Sequence, residues 1–230
     1  MSLTLTSALA VTPEILRNIY QLLNLRLPLH SALWALSLVA FFTFLRKSNL
    51  VVNQVNSISP KVPLLSDLDL QAGSATITIR ATKTIQFKQR CLVIPLPFIR
   101  DSPLCPVTAL KNHLEVNKLT HEDASKPLFS VFTDRASNHV PLTYANFSAF
   151  IKRATKLLGL DSRQFSPHSF RRGGATFAFS CSVPAELIQH LGDWRSDAYL
   201  VYLDMSTGQK LQATSAMAQR IHALFPYFVF

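Results

Sequence analysis

Histidine and arginine side chains that could bind an anion are concentrated in one short stretch of this chain. Arg171 and Arg172 follow His168 by three and four residues, so a helix would place all three on one side. Guanidinium groups present a rigid fork of N–H donors that matches phosphate oxygens. The alternative is a basic, solvated helix followed by ordinary aromatic packing, and the residue types alone leave both interpretations open.

Three predicted helices would position these side chains. The first spans 167–181, because Ser166 is a favourable N-cap and proline follows it at the first helical position. The second covers about 182–192, with serine as N-cap and glycine as its stop. The third begins near residue 196 and places Tyr199 and Tyr202 three residues apart on one face.

The first of these helices is predicted to have a buried face and a charged face. Helical spacing predicts the buried stripe Phe170, Gly174, Phe177 and Cys181. His168, Arg171 and Arg172 then lie on the other face. Two successive glycines cost a helix about 1 kcal/mol each relative to alanine. We therefore expect Gly173 and Gly174 to permit a close approach by another segment of backbone.

The order of these residues resembles the catalytic domain of the tyrosine recombinases, the phage integrase family. The pattern is His-x-x-Arg at 168–171, Leu-Gly-x-Trp at 191–194, and a tyrosine eight residues after the tryptophan. The segments 170–176 and 192–199 are closer still to eukaryotic mobile-element recombinases of the Crypton and DIRS/Ngaro-like groups. The resemblance covers residues 12–202.

The resemblance implies a catalytic set drawn from several elements: Arg46, Lys83, His168, Arg171, Trp194 and Tyr202. We expect an apolar helix that is capped by Ser31 and ends in the stretch 44–50, and Arg46 lies at this end. Without the resemblance, Arg46 would be an ordinary cation at a helix C-terminus. Periodicity does not choose between Tyr199 and Tyr202. The resemblance selects Tyr202 as nucleophile and leaves Tyr199 as a packing residue.

A basic hairpin is the second region that the resemblance brings to the site. Alternating residues at 75–82 predict a half-buried strand, and 91–96 reads as its partner. The tip between them carries Lys83, which the resemblance places in the minor groove beside the cleaved bond. A solvated hairpin tip is the alternative. The residues predicted to contact DNA are Lys47, Lys88, Arg90 and Arg172.

Two positions depart from the usual pattern of the family. His or Trp usually stands nine residues before the nucleophile, where this chain has Asp193, and Trp194 comes one residue later. We assign the role to Trp194, since an indole N–H donates to a phosphate oxygen and a carboxylate would repel it. Asn49 stands where the family often has glutamate, so its surroundings are expected to differ.

The chemistry that the resemblance implies is attack on a phosphodiester by a tyrosine. Arg46 and Arg171 would bind the non-bridging oxygens, whose charge grows in the transition state. His168 would donate a hydrogen bond or move the phenol proton, and Lys83 would protonate the leaving 5′ oxygen. Energy kept in the phosphotyrosyl bond allows rejoining without a metal or another cofactor, and we expect none.

Composition supports a nucleic-acid partner. The chain has 23 Lys+Arg against 13 Asp+Glu, a net charge of +10, which favours a polyanion. No apolar run reaches the ~18 residues of a spanning helix, so no membrane partner is expected, and no secretory signal is visible. Three isolated cysteines lack metal-ligand spacing and are predicted to be reduced and mostly buried. Asp67 and Asp69 could share a metal, but a turn at the entry of a strand is the better interpretation.

The predicted fold class is mainly α with a small antiparallel sheet, as in the tyrosine recombinase catalytic domain. We expect residues 1–230 to form a single catalytic domain, with the N-terminal core-binding domain of the family absent. Further helices are predicted at 13–23, 106–116, 144–158 and 208–224, and a strand at 127–132.

The predicted function is site-specific cleavage and rejoining of double-stranded DNA in the nucleus, for a mobile element. Self-association on DNA is expected, through the last helix or with that helix packed on its own core. The alternatives are relaxation of supercoils, as by type IB topoisomerases, and DNA binding without cleavage.

Overall fold

The computed structural model describes residues 8–81, 91–134, 138–194, 196–202 and 215. The helices are α1 (Pro13–Gln21), α2 (Pro28–Thr43), α3 (Pro106–Val116), α4 (Tyr144–Leu157), α5 (His168–Ser180) and α6 (Ala185–Leu191). The strands are β1 (Leu68–Leu70), β2 (Ala75–Ile79), β3 (Leu92–Leu96), β4 (Ser130–Thr133) and β5 (Asn138–Pro141). Short 3₁₀ helices include Lys47–Asn49 and Asp197–Tyr202.

Helix α2 is the centre of the core. It is apolar on nearly every side and packs chiefly against α3 and α5, as expected for a helix enclosed by others. Its few hydroxyls donate to carbonyls one turn back, as Thr43 does to Val39 at 2.7 Å. The predicted cap at Ser31 is wrong. The helix begins at Pro28, because proline is pre-organised for the first helical position.

The two glycines of α5 let two other segments approach closely: α2 at Gly174 and the chain before α1 at Gly173. A β-carbon on Gly173 would lie 1.8 Å from the carbonyl oxygen of Val11, and one on Gly174 would lie 1.9 Å from that of Phe41. Both distances are far inside van der Waals contact, so the predicted close approach is confirmed. Phe170 is buried as expected, but Phe177 is 41 % exposed, although its ring centre lies 5.9 Å from that of Phe41.

A three-stranded antiparallel sheet, ordered β1-β2-β3, covers another part of the core. Ile77 pairs with Ile94, and the buried positions alternate along both strands. The predicted pair of strands is confirmed, and β1 is an addition. Asp67 accepts from the backbone N–H of Leu64 and pairs with Arg80 at 2.7 Å. It therefore serves the turn before β1, as expected.

Most of the remaining helices begin where the sequence indicates, but Ser166 and Ser182 do not cap theirs: α5 begins at His168 after Pro167, and α6 begins at Ala185 after Pro184. Thr143 caps α4, and Cys105 caps α3. Strand β4 pairs with β5, a strand that was not predicted from the sequence. Cys105 is buried, but Cys91 and Cys181 are exposed. The expectation of mostly buried thiols is wrong because those two lie just outside a strand and a helix. The predicted last helix, 208–224, lies outside the described residues except for position 215.

A polar network joins α3 to the second hairpin. The ring of His113 is fully buried; its Nε2 lies 2.9 Å from the carbonyl oxygen of Leu128, and its Nδ1 lies 3.0 Å from Asn117 Nδ2. The Asn117 side-chain oxygen accepts from the backbone N–H of Phe132. The amide can only donate to Nδ1, so the neutral ring donates from Nε2. Burial lowers the pKa of His113 to about 4.

Candidate active site

Arg46 lies just after α2, where the chain changes direction sharply. Phe44 ends α2 in the left-handed conformation, with φ of 52°, and Arg46 is extended as it enters the 3₁₀ helix Lys47–Asn49. Leu45 and Leu50 are buried on either side of this turn. The Arg46 side chain is 27 % exposed. Arg46 therefore stands at the surface on a turn fixed from both ends.

Arg171 lies in the first turn of α5, directly beside that change of direction. One of its terminal nitrogens donates to the carbonyl oxygen of Phe44. Its guanidinium carbon lies 3.6 Å from the centre of the Trp194 ring, a cation–π contact. These neighbours leave Arg171 only 2 % exposed. The predicted charged face opposite the buried stripe is thus itself covered at Arg171, because helical periodicity does not foresee what packs over the helix end.

The turn 192–194 brings two further residues to the arginines. Arg46 pairs with the Asp193 carboxylate at 3.6 Å and donates to the Asp193 backbone oxygen at 3.3 Å. Asp193 has a φ of 52°, and the Trp194 ring occupies the space where a β-carbon of residue 192 would be. Consecutive residues thus contact the two arginines. The sequence indicated Trp194 here, but it did not reveal that Asp193 pairs with Arg46.

His168 is the first residue of α5, and its side chain is exposed. Partial loss of water around the ring lowers its pKa, and the positive charges of Arg171, Arg172 and Arg46 lower it further. His168 lies three residues before Arg171 on the same face of α5, so it stands beside that arginine. At neutral pH its imidazole is therefore neutral and able to accept a proton.

Two of the four predicted DNA-contacting residues can be described. Lys47 is exposed, and its ammonium lies 3.6 Å above the ring of Tyr144. Arg172 is partly buried and donates to the backbone oxygen of Ala8 at 2.9 Å. Lys83, Lys88 and Arg90 lie outside the described residues. Their roles, like the DNA contacts of Lys47 and Arg172, stay predictions.

Asn49 joins the Arg46 turn to the base of the predicted basic hairpin. It is buried, and its side-chain nitrogen donates to the carbonyl of Ala81 at 2.9 Å and to that of Lys61 at 3.3 Å. Ala81 is two residues before Lys83. A neutral amide suits two carbonyl acceptors, whereas a glutamate carboxylate could not donate to either.

The two candidate tyrosines lie on the 3₁₀ helix Asp197–Tyr202. Tyr199 is 6 % exposed, and its ring centre lies 6.1 Å from that of Trp194. This burial agrees with the packing role predicted for Tyr199. Tyr202 ends the helix, and its side chain lies outside the described part of the structure.

The described residues contain no group of three or more His, Cys, Asp or Glu side chains that could hold a metal ion. Among the described helices, none has the length and apolar character needed to cross a membrane.

The helical core with its small antiparallel sheets has the fold of the tyrosine recombinase catalytic domain. Residues 16–203 match the phage integrase family, and the chain belongs to that family. The predicted fold class, mainly α with a small antiparallel sheet, is thereby confirmed.

Individual relatives agree with this assignment. An integrase/recombinase XerD homolog of Selenomonas ruminantium is 28 % identical over 92 residues, which are 40 % of this chain and 26 % of that protein. XerH site-specific recombinase, in a pre-cleavage complex with its difH substrate, has the same fold with a TM-score of 0.62 and 16 % identity. The match covers 94 % of this chain and 56 % of XerH.

A lambda integrase dimer bound to a COC′ core site has a TM-score of 0.54 at 20 % identity, over 86 % of this chain and 48 % of lambda integrase. The chain thus spans about half the length of the solved structures and a quarter of the XerD homolog.

Proposed function

We propose that this protein cleaves and rejoins double-stranded DNA at specific sites through a 3′-phosphotyrosyl intermediate formed by Tyr202. The observation that carries the proposal is the convergence of Arg46 and Arg171 at the end of α2, with Trp194 and His168 beside them. Such a cluster suits a phosphate whose charge increases during reaction. Membership of the phage integrase family supports the same chemistry.

In this proposal the Tyr202 oxygen forms a bond to phosphorus, and the bond to the 5′ oxygen breaks. His168 accepts the phenol proton, for which its lowered pKa leaves the ring neutral. Lys83 gives a proton to the leaving 5′ oxygen. A 5′ hydroxyl from another strand can then attack the phosphotyrosyl bond, so rejoining restores Tyr202 without an external source of energy.

DNA is the proposed partner, held by contacts beyond the active site. The net charge is +10, and α4 presents exposed Lys152, Arg153 and Lys156. Since lambda integrase binds its core site as a dimer, we propose that this protein also acts in dimers or tetramers. We further propose that the protein comes from a eukaryotic mobile element and acts in the nucleus. The support is that residues 170–176 and 192–199 resemble those of eukaryotic mobile-element recombinases.

The decisive experiment works on a target of unknown sequence. Duplexes with a randomised sequence around a nick are incubated with the protein, so that cleavage close to the nick releases a short fragment and traps the adduct. Covalent complexes are recovered under denaturing conditions and their DNA is sequenced. Wild-type protein should enrich one sequence, and Tyr202→Phe should give no adduct.

Two other results would contradict the proposal. Adducts without sequence preference would indicate relaxation of supercoils in the manner of a type IB topoisomerase. DNA binding without any adduct would indicate a binding module that does not cleave.

A further inference from the structure

We propose that Asp193 is a positioning residue for Arg46, an inference that rests on the proposed function. Its carboxylate lies 3.6 Å from one terminal nitrogen of Arg46, and its backbone oxygen accepts from the other at 3.3 Å. Both acceptors come from a single residue. They restrict the rotation of the guanidinium, whose orientation decides whether its N–H groups reach a phosphate.

Burial indicates that the pair persists when a phosphate binds. The Asp193 side chain is 5 % exposed, whereas that of Arg46 is 27 % exposed. A buried carboxylate is strongly destabilised when it loses a cationic partner, which favours keeping the contact that holds Arg46 from the inner side. A guanidinium has five N–H donors, and its exposed part remains available to a phosphate oxygen while the inner contacts stay in place.

The position of Asp193 is fixed by its own turn. Its φ of 52° is one that aspartate and asparagine adopt more readily than most residues. The next residue, Trp194, is 9 % exposed and packs with Phe44 and Tyr199. Trp194 thus anchors the turn 192–194 and fixes Asp193. Arg46 lies on a more exposed turn, so Asp193 orients Arg46 and not the reverse.

This arrangement assigns a role to the residue that stands nine positions before Tyr202. Asp193 would not contact the phosphate, which its charge would repel. It acts on the phosphate through Arg46, while Trp194 contacts Arg171. Asp193 therefore positions Arg46, and Trp194 packs on Arg171.

The test is a double-mutant cycle on the rate of adduct formation, measured in single turnover with the DNA that the wild-type protein selects. Asp193→Asn keeps the shape and tolerates the left-handed conformation but removes the charge. We expect it to slow cleavage about tenfold, the worth of a charge-assisted hydrogen bond. In an Arg46→Lys background the same change should have no further effect. Asp197→Asn removes an exposed carboxylate from the following helix and should leave the rate unchanged.

Two rate outcomes would overturn the proposal. Faster cleavage by Asp193→Asn would show that the carboxylate competes with the phosphate for Arg46. An equal loss in both backgrounds would show that Asp193 acts independently of Arg46.

Failure of the proposed function would be recognised separately, because the wild-type protein would then form no adduct. The pair can still be tested by urea unfolding of wild type, Asp193→Asn, Arg46→Ala and the double variant. The two changes should be coupled in their effect on stability. Strictly additive effects would refute the contact itself.

Discussion

Acidification should destabilise this protein through His113. In the unfolded chain its pKa is near 6.5, and in the folded protein it is about 4. Between these values the unfolded state binds a proton that the folded state does not, so stability falls as pH falls. A difference of about 2.5 pKa units corresponds to about 3 kcal/mol, fully present above pH 6.5 and lost by about pH 4.

The structural reason is that neither ring nitrogen of His113 can gain a proton at low cost. Nε2 already donates to Leu128, and Nδ1 accepts from Asn117. Protonation of Nδ1 would set two donors against each other inside the core. The full loss of stability is therefore expected only while both hydrogen bonds of His113, to Leu128 and Asn117, are kept in the folded protein.

The assay is urea unfolding between pH 4 and 7.5, comparing wild type with His113→Gln. The variant removes the titrating group, so the difference in unfolding free energy between the two proteins should shrink by about 3 kcal/mol as pH falls across this range. His121→Gln is the matched control, because His121 is exposed in the same half of the chain; its pH dependence should follow wild type. A His113→Gln protein whose stability runs parallel to wild type at every pH would refute the reasoning.

The remaining predictions concern the site and its support. Arg171→Lys should nearly abolish covalent adduct on a denaturing gel while the far-ultraviolet spectrum stays native, since charge remains but the forked contact is lost; near-normal adduct would contradict this. Tyr202→Phe should form no adduct and Tyr199→Phe should still form one, and a nucleotide mapped by mass spectrometry to Tyr199 would reverse the assignment. Gly174→Ala should lower the free energy of unfolding by several kcal/mol, because its methyl would overlap a carbonyl of α2; exposed Gly73→Ala is the control, and equal stability of the two variants would argue against the close approach. DNA affinity should fall at least tenfold between about 50 and 200 mM salt, and equal binding in a filter assay would exclude a dominant role for phosphate contacts.

Local rules predicted the elements well where capping and periodicity agree. The helices predicted from residues 13, 106 and 144 begin there in the structure, after the caps Thr12, Cys105 and Thr143, and alternation predicted β2 and β3. The start of α2 was missed because the proline at position 28 outweighs the serine cap at 31. Strand β5 was missed because its residues alternate too weakly to distinguish a short edge strand from a loop.

The grouping of four predicted site residues could be read from the sequence, but their contacts could not. The sequence pattern brought Arg46, His168, Arg171 and Trp194 to one place, and the structure does bring them together. Helical spacing placed Arg171 on the charged face, opposite the buried stripe, and could not show that the chain after α6 folds back and covers it. Pairing of Asp193 with Arg46 joins residues 147 positions apart, which no local pattern can reveal.

One acceptor for Arg171 is a peptide carbonyl, that of Phe44, and this has a consequence for how the site tolerates change. An anchor in the main chain survives replacement of the side chain above it, so alanine scanning at position 44 would report packing and conformation but not the contact itself. The carbonyl also belongs to the carboxyl end of a 16-residue helix, where the helix dipole attracts a cation. Main-chain dipoles thereby help to hold the Arg171 guanidinium. Because they carry only partial negative charges, they weaken the attraction between Arg171 and an anionic substrate less than a carboxylate would.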